Sequence, residues 1–254
     1  MARVYGGLSR TWYDDYERGR PGYPAAVTAA PGLPSTAIVL DLGAGTGKLT
    51  RRLVAAFDEV VAVDPDEGMR RLLEALCPEA RVLAGGAEEI PLAEGSVDAV
   101  FAAEAFHWFD HERAMDEIVR VLRPGGALVL MWNVPAGPTE PPVDAVERLV
   151  DAVRPGGLEY EPMDLNHRRY SSGEWRRAFG DPRFEELREE RLANPQLLDR
   201  DALVSLLASM GWVSDLPDER RLPLLDEARS LLTAFEYRRP WETRLYWTRL
   251  RGGC

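Results

Sequence analysis

The chain has 254 residues, 45% hydrophobic and 29% charged, with a net charge of −11; that suffices for one large domain or a domain with a substantial cap. The acidity argues against nucleic acid as main partner, because a phosphate backbone needs a basic face. No run approaches the ~18 apolar residues of a membrane span, and "MARVYGGLSRTWYDDYERGR" lacks the apolar centre of a secretory signal.

The only cysteines, Cys77 and Cys254, provide neither a disulfide framework nor a metal-ligand spacing. A cytoplasmic protein without a metal is expected. Residues 1–35 are aromatic and turn-rich; prolines in "RPGYPAAVTAAPGLP" break any long helix, leaving "YPAAVTAA" as a short one. From Thr36 short apolar runs alternate with helical stretches. "AIVLDL", "EVVAVD", "ARVLAG", "VDAVFAAEA" and "GALVLMWN" read as strands, with helices at "GKLTRRLVAAF", "EGMRRLLEAL" and "HERAMDEIVRVL". Strands apolar on both faces, alternating with helices, predict a doubly wound α/β domain with a parallel sheet.

After Asn133 the rhythm stops. A Pro-rich connection leads to a helix near 143–153, then an irregular stretch, 154–182, carrying Tyr160, His167, Tyr170, Trp175 and Phe179. This reads either as a lid over a pocket or as surface structure with a small aromatic core of its own. A strand near 184–192, helices near 199–210 and 217–235 and a last strand at "TRLYWTRL" complete the chain. The expected division is an N-terminal cap segment (1–35), a core (36–134), a lid insertion (135–182) and a C-terminal part completing the sheet (183–254).

The glycines of "IVLDLGAGTGKLT" discriminate among ligands. A triphosphate-binding loop would need glycine at Leu42 and a hydroxyl at Leu49, and fails at both. A dinucleotide fingerprint needs G-x-G-x-x-G, whereas Gly43, Gly45 and Gly47 alternate. Asp41, just ahead of the loop, would oppose a pyrophosphate but suits a ligand with an ammonium group or positive centre. S-adenosyl-L-methionine has an amino group, a sulfonium and no phosphate. Asp64, closing "EVVAVD", stands where an acidic residue takes ribose hydroxyls; it could instead cap the next helix, a task Asp66 could also perform.

With "VLDLGAGTGKLT", "VVAVDPDEGM", "GGAEEIPLAEGSVDAVFAAEAFHWF" and "EIVRVLRPGGAL" in this order, the chain resembles class I S-adenosylmethionine-dependent methyltransferases. More narrowly, it resembles the type 11 branch, in a subgroup related to trans-aconitate methyltransferases. The resemblance implies a Rossmann-like, mostly parallel seven-stranded sheet with one of the last two strands antiparallel, and a helical or irregular cap. It implies that Asp41, Gly43, Gly45 and Gly47 surround the methionine end of the cofactor. Asp64, beside Pro65, takes the ribose diol, Met69 helps cover the adenine, and Ala87 and Glu88 lie at the adenine edge. Many relatives carry aspartate where this chain has Gly86. Glu104 to His107 lie beside the methyl, and Tyr16 and Arg20 close over the cofactor, Arg20 being a candidate for its carboxylate.

The expected reaction is in-line methyl transfer to a small-molecule acceptor, at a carboxylate or hydroxyl oxygen, leaving S-adenosyl-L-homocysteine. A hydroxyl acceptor would benefit from a base, and His107 is the candidate; its other reading is a packed histidine with one structural hydrogen bond. Trp108, Tyr170 and Trp175 are candidates for the acceptor pocket, Trp108 equally for packing. The competing readings are a protein that binds S-adenosylmethionine without transferring methyl and a nicotinamide oxidoreductase. Neither nucleic acid nor membrane is an expected partner, and a monomer or homodimer is expected.

Overall fold

The computed structural model describes residues 10–154 and 172–252. Five strands, β1 (Ile38–Leu42), β2 (Glu59–Asp64), β3 (Arg81–Ala84), β4 (Val97–Ala103) and β5 (Leu122–Pro135), pair in parallel. The C-terminal β6 (Arg188–Ala193) and β9 (Trp241–Arg249) extend the sheet to the order β3-β2-β1-β4-β5-β9-β6, with β9 antiparallel to both neighbours. A separate two-stranded sheet joins β7 (Gln196–Leu198) to β8 (Tyr237–Arg239).

Alternating side chains fill both faces. Leu40, Val61, Val100, Leu128 and Trp132 face one core, and Val39, Val60, Phe101, Val129 and Leu245 the other. Such burial on both sides is why these strands read as continuous apolar runs. Flanking helices are α2 (Thr50–Val54), α3 (Glu67–Leu76) and α4 (His111–Val121). Aspartates start the latter two: Asp66 accepts from the Met69 amide at 3.0 Å and Asp110 from the Arg113 amide at 3.4 Å.

A third core joins α5 (Pro141–Ala152), α6 (Arg200–Ala208), α7 (Gly211–Ser214) and α8 (Asp218–Leu231) around Val146, Leu206, Trp212 and Trp241. The N-terminal segment holds a helix absent from the expected elements, α1 (Arg10–Gly19), ending before Pro21. Its last residue, Gly19, lies so close to α6 that a Cβ would stand 2.1 Å from the Leu206 amide nitrogen. "YPAAVTAA" contributes only a single 3₁₀ turn, Ala25–Thr28.

The sheet reverses direction of winding between β1 and β4, where open α/β sheets bind ligands at the carboxyl ends of their strands. Asp41, Asp64 and Asn133 lie within the last three residues of β1, β2 and β5, and Glu104 follows β4. The fold therefore gathers at one edge four polar side chains that are far apart in sequence.

Candidate cofactor cleft

A cleft partly open to solvent, with a cavity volume of about 140 Å³, occupies this edge. Asp41, Gly43, Gly45, Asp64, Pro65 and Met69 line it from the β1 and β2 side, and Glu104 and Trp108 from the β4 side. Tyr16 and Arg20 reach it from α1 and the residue following it.

The three loop glycines have positive φ (73°, 57° and 86°) for different reasons. At Gly43 a Cβ would meet the Ala105 methyl at 2.7 Å, and at Gly47 it would meet Leu73 Cδ1 at 2.3 Å. At Gly45 it would meet nothing within 4 Å, so this glycine alone leaves space into which a ligand fits. Gly47 does not line the cleft; it admits α3 against the loop.

The carboxylates are tightly held. Asp41 is 1% exposed; Thr50 Oγ1 donates to its Oδ2 at 2.6 Å, and its Oδ1 is buried with no hydrogen-bond partner among the described residues. Burial drives its pKa from 3.8 to about 7, partly offset by Thr50. Asp64 Oδ2 accepts from the Gly45 amide at 2.8 Å and Oδ1 from the Asp66 amide at 2.8 Å. Burial raises its pKa to about 6 against those two bonds. Since Asp66 caps α3, Asp64 is not consumed by that task.

Glu104 has φ 52°, the only positive value on a non-glycine residue among the described residues. That conformation costs about 1 kcal/mol or more and gathers at functional sites. Its Oε1 accepts from the Asn133 amide at 2.6 Å, joining the ends of β4 and β5.

The roof was less evident in the sequence. Glu17 of α1 accepts from Thr46 Oγ1 and from Arg51 Nη2 (2.7 Å), and its carbonyl accepts from Lys48 Nζ at 2.6 Å. Burial lowers the Lys48 pKa to about 8, opposed by Glu17. Thr46, Lys48, Pro21, Tyr23, Phe109 and Asn133 also line the cleft. Of these Asn133 was discoverable, since it lies near a strand end as Asp41 and Asp64 do; Tyr23 sits in the irregular "GRPGYP" stretch, which carries no such signal.

Besides Gly47, four expected site residues do not line the cleft. His107 does not line the cleft: it is 3% exposed and its Nδ1 accepts from Trp132 Nε1 at 3.0 Å. It lies in a 3₁₀ turn, Phe106–Trp108, where successive side chains diverge by about 120°; Trp108 is the one that lines the cleft. Trp175 is a core residue, 1% exposed, with ring centroids 4.7 Å from both Trp132 and Tyr246. Ala87 is buried in the core, and Glu88 accepts from the Asp110 amide at 2.9 Å; neither lines the cleft. Tyr170, Tyr160 and His167 lie outside the described residues.

Among the described residues no group of His, Cys, Asp and Glu could hold a metal, and no helix is long and apolar enough to cross a membrane.

Comparison with known proteins gives a consistent picture. The model of the Methyltransferase domain family matches residues 40–130. An uncharacterized methyltransferase of Mycobacterium tuberculosis is 40% identical over 218 residues, 85% of this chain and 82% of its own. The malonyl-[acyl-carrier protein] O-methyltransferase of Methylococcus capsulatus is 48% identical over 101 residues, 37% of each chain. A solved structure assigned to the type II methyltransferases, from Anaeromyxobacter dehalogenans, superposes with a TM-score of 0.68 at 27% identity, covering 92% of this chain and 99% of that one.

Proposed function

We propose, from the premise that the chain belongs to the class I S-adenosylmethionine-dependent methyltransferases, that it methylates a small-molecule acceptor at oxygen. Within the family we place it nearest the trans-aconitate methyltransferase subgroup, on the motif "AFHWF". The observation that carries the cofactor assignment is the orphaned Asp41 Oδ1, buried at the edge of the cleft and without a donor among the described residues. A buried carboxylate oxygen in that state is costly unless a cation meets it. The ammonium of S-adenosylmethionine fits, and the open side of Gly45 gives its backbone room.

Under this reading Asp64 takes the ribose diol through the remaining lone pairs of oxygens that each already accept one amide. Met69 and Pro65 cover the base, and Tyr16 and Arg20 close the methionine end. Glu104, Trp108 and Phe109 border the space for the acceptor. When bound, S-adenosylmethionine supplies a methyl group on a positively charged sulfur. The chain's own contribution is to orient the acceptor and keep water out, effects that account for ~7–11 kcal/mol of a barrier. With His107 off the cleft, no histidine among the described residues lines it, which favours an acceptor ionised before it binds, such as a carboxylate. The O-methyltransferase activity named for the Methylococcus relative supports oxygen as the acceptor atom.

The test is calorimetry with S-adenosylmethionine, S-adenosylhomocysteine and NAD, followed by S-adenosylhomocysteine release with panels of carboxylic acids, alcohols and amines. Binding of the two sulfur nucleosides with turnover on carboxylic acids is expected. Turnover confined to amines would overturn the oxygen assignment. Binding with no turnover on any panel would favour a protein that uses the cofactor without transferring its methyl, and NAD binding alone would end the reading.

A further inference from the structure

Arg20 follows α1 and lines the cleft, yet two of its three nitrogens are committed elsewhere. Nε donates to Ser209 Oγ at 2.9 Å and Nη2 to the Ser209 carbonyl at 3.0 Å. Its guanidinium carbon stands 5.2 Å from the centroid of the Tyr16 ring, which also lines the cleft. Nη1 donates to no group among the described residues. The fork is thus gripped along one edge and lies against a ring, with one edge in reserve.

Ser209 is the residue at the C-terminal end of α6 and is 0% exposed. Its hydroxyl donates to the Leu206 carbonyl at 2.7 Å, which turns an oxygen lone pair toward Arg20. The docking of α1 on α6 fixes the distance between the two. Gly19 makes the backbones touch, Ser205 Oγ donates to Asp15 at 2.7 Å, and Arg18 pairs with Asp199 at 3.2 Å. An arginine fork selects carboxylates by geometry as much as by charge, so holding one edge predetermines what the other can accept.

We propose that Ser209 is a positioning residue for cofactor recognition: it orients the Arg20 guanidinium so that its free edge receives the cofactor's carboxylate. The inference rests on the S-adenosylmethionine assignment above and extends it. It makes reading of the methionine end depend on α6, some 80 residues beyond the segment matched by the family model.

The experiment compares two probes by calorimetry: S-adenosylhomocysteine, and its decarboxylated analogue, which keeps the amine and lacks only the carboxylate. Arg20→Ala should weaken the first by ten-fold or more and leave the second unchanged. Ser209→Ala should weaken the first by three- to ten-fold, again sparing the second. In the Arg20→Ala background Ser209→Ala should have no further effect, because its influence passes through the guanidinium.

A hydroxyl that merely stabilises the fold would shift both probes alike and would still do so without Arg20; either result overturns the proposal. If Arg20→Ala discriminates and Ser209→Ala does not, the cofactor reading stands and Ser209 is refuted. If both nucleosides bind but Arg20→Ala affects them equally, Arg20 does not meet the carboxylate and the proposal falls while the rest of the site survives.

Discussion

Replacing Asp41 by Asn sets stability against binding. Asp41 is buried, with Thr50 donating to one oxygen and no group among the described residues donating to the other. Burial first, and the neighbouring Asp64 charge next after Thr50's opposing bond, lift its pKa from 3.8 to about 7. A rise of about three units at ~1.36 kcal/mol each makes the ionised carboxylate cost the folded protein roughly 3–4 kcal/mol. Between pH 4 and 7 the folded chain holds this proton while the unfolded chain has lost it. The stabilisation is therefore whole below the unfolded value and disappears as pH rises through about 7. The Asp41→Asn amide keeps an oxygen for Thr50 and carries no charge. At pH 8 the variant should resist urea better than the natural protein by up to roughly 3 kcal/mol, the advantage shrinking toward pH 4. It should also bind S-adenosylhomocysteine at least ~10-fold more weakly, because a neutral amide cannot pair with an ammonium group at full strength. Urea unfolding across pH 4–8, with calorimetry at pH 8, measures both. A variant less stable at every pH, or a stability difference indifferent to pH, refutes the account of Asp41 as a desolvated carboxyl awaiting a cation.

His107→Ala should lower stability by about 1–3 kcal/mol in thermal or urea unfolding, because the buried Trp132 N–H loses its acceptor; cofactor affinity should be unchanged, and a selective fall in turnover would restore His107 to the reaction. Gly47→Ala and Gly45→Ala should separate folding from binding. The first forces a methyl against Leu73 and should cost about 1–3 kcal/mol of stability, whereas the second costs only the ~1–2 kcal/mol of a left-handed alanine but should weaken S-adenosylhomocysteine about ten-fold. Asp64→Ala should reduce the affinity for that ligand by ~1–3 kcal/mol in calorimetry, and unchanged affinity would contradict the ribose assignment.

The pattern of what was legible in the sequence follows from how each signal arises. Strands buried on both faces advertise themselves, so "EVVAVD" and "EGMRRLLEAL" match β2 and α3 residue for residue. The seven-stranded order, with β9 antiparallel, agrees with what the resemblance implied. Helix α1 was hidden because its order depends on distant partners: Tyr13 donating to Asp66, Glu17 on the glycine loop and Gly19 on α6. No local periodicity encodes those. The β7–β8 pair is equally non-local, its strands being only three residues each. At the site, sequence proximity to a motif placed Phe106, His107 and Trp108 together but said nothing about direction, and a turn of three residues sends neighbours to different surroundings. Composition misled in the same way at Trp175, where an aromatic in an irregular stretch is equally suited to a pocket or a core, and Trp132 and Tyr246 decide for the core. Strand ends are the more dependable guide, since the sheet itself fixes where they lie. By that rule Asp41, Asp64 and Asn133 fall at one edge before any ligand is considered, and Tyr16 of α1 and Arg20 after it face the same cleft.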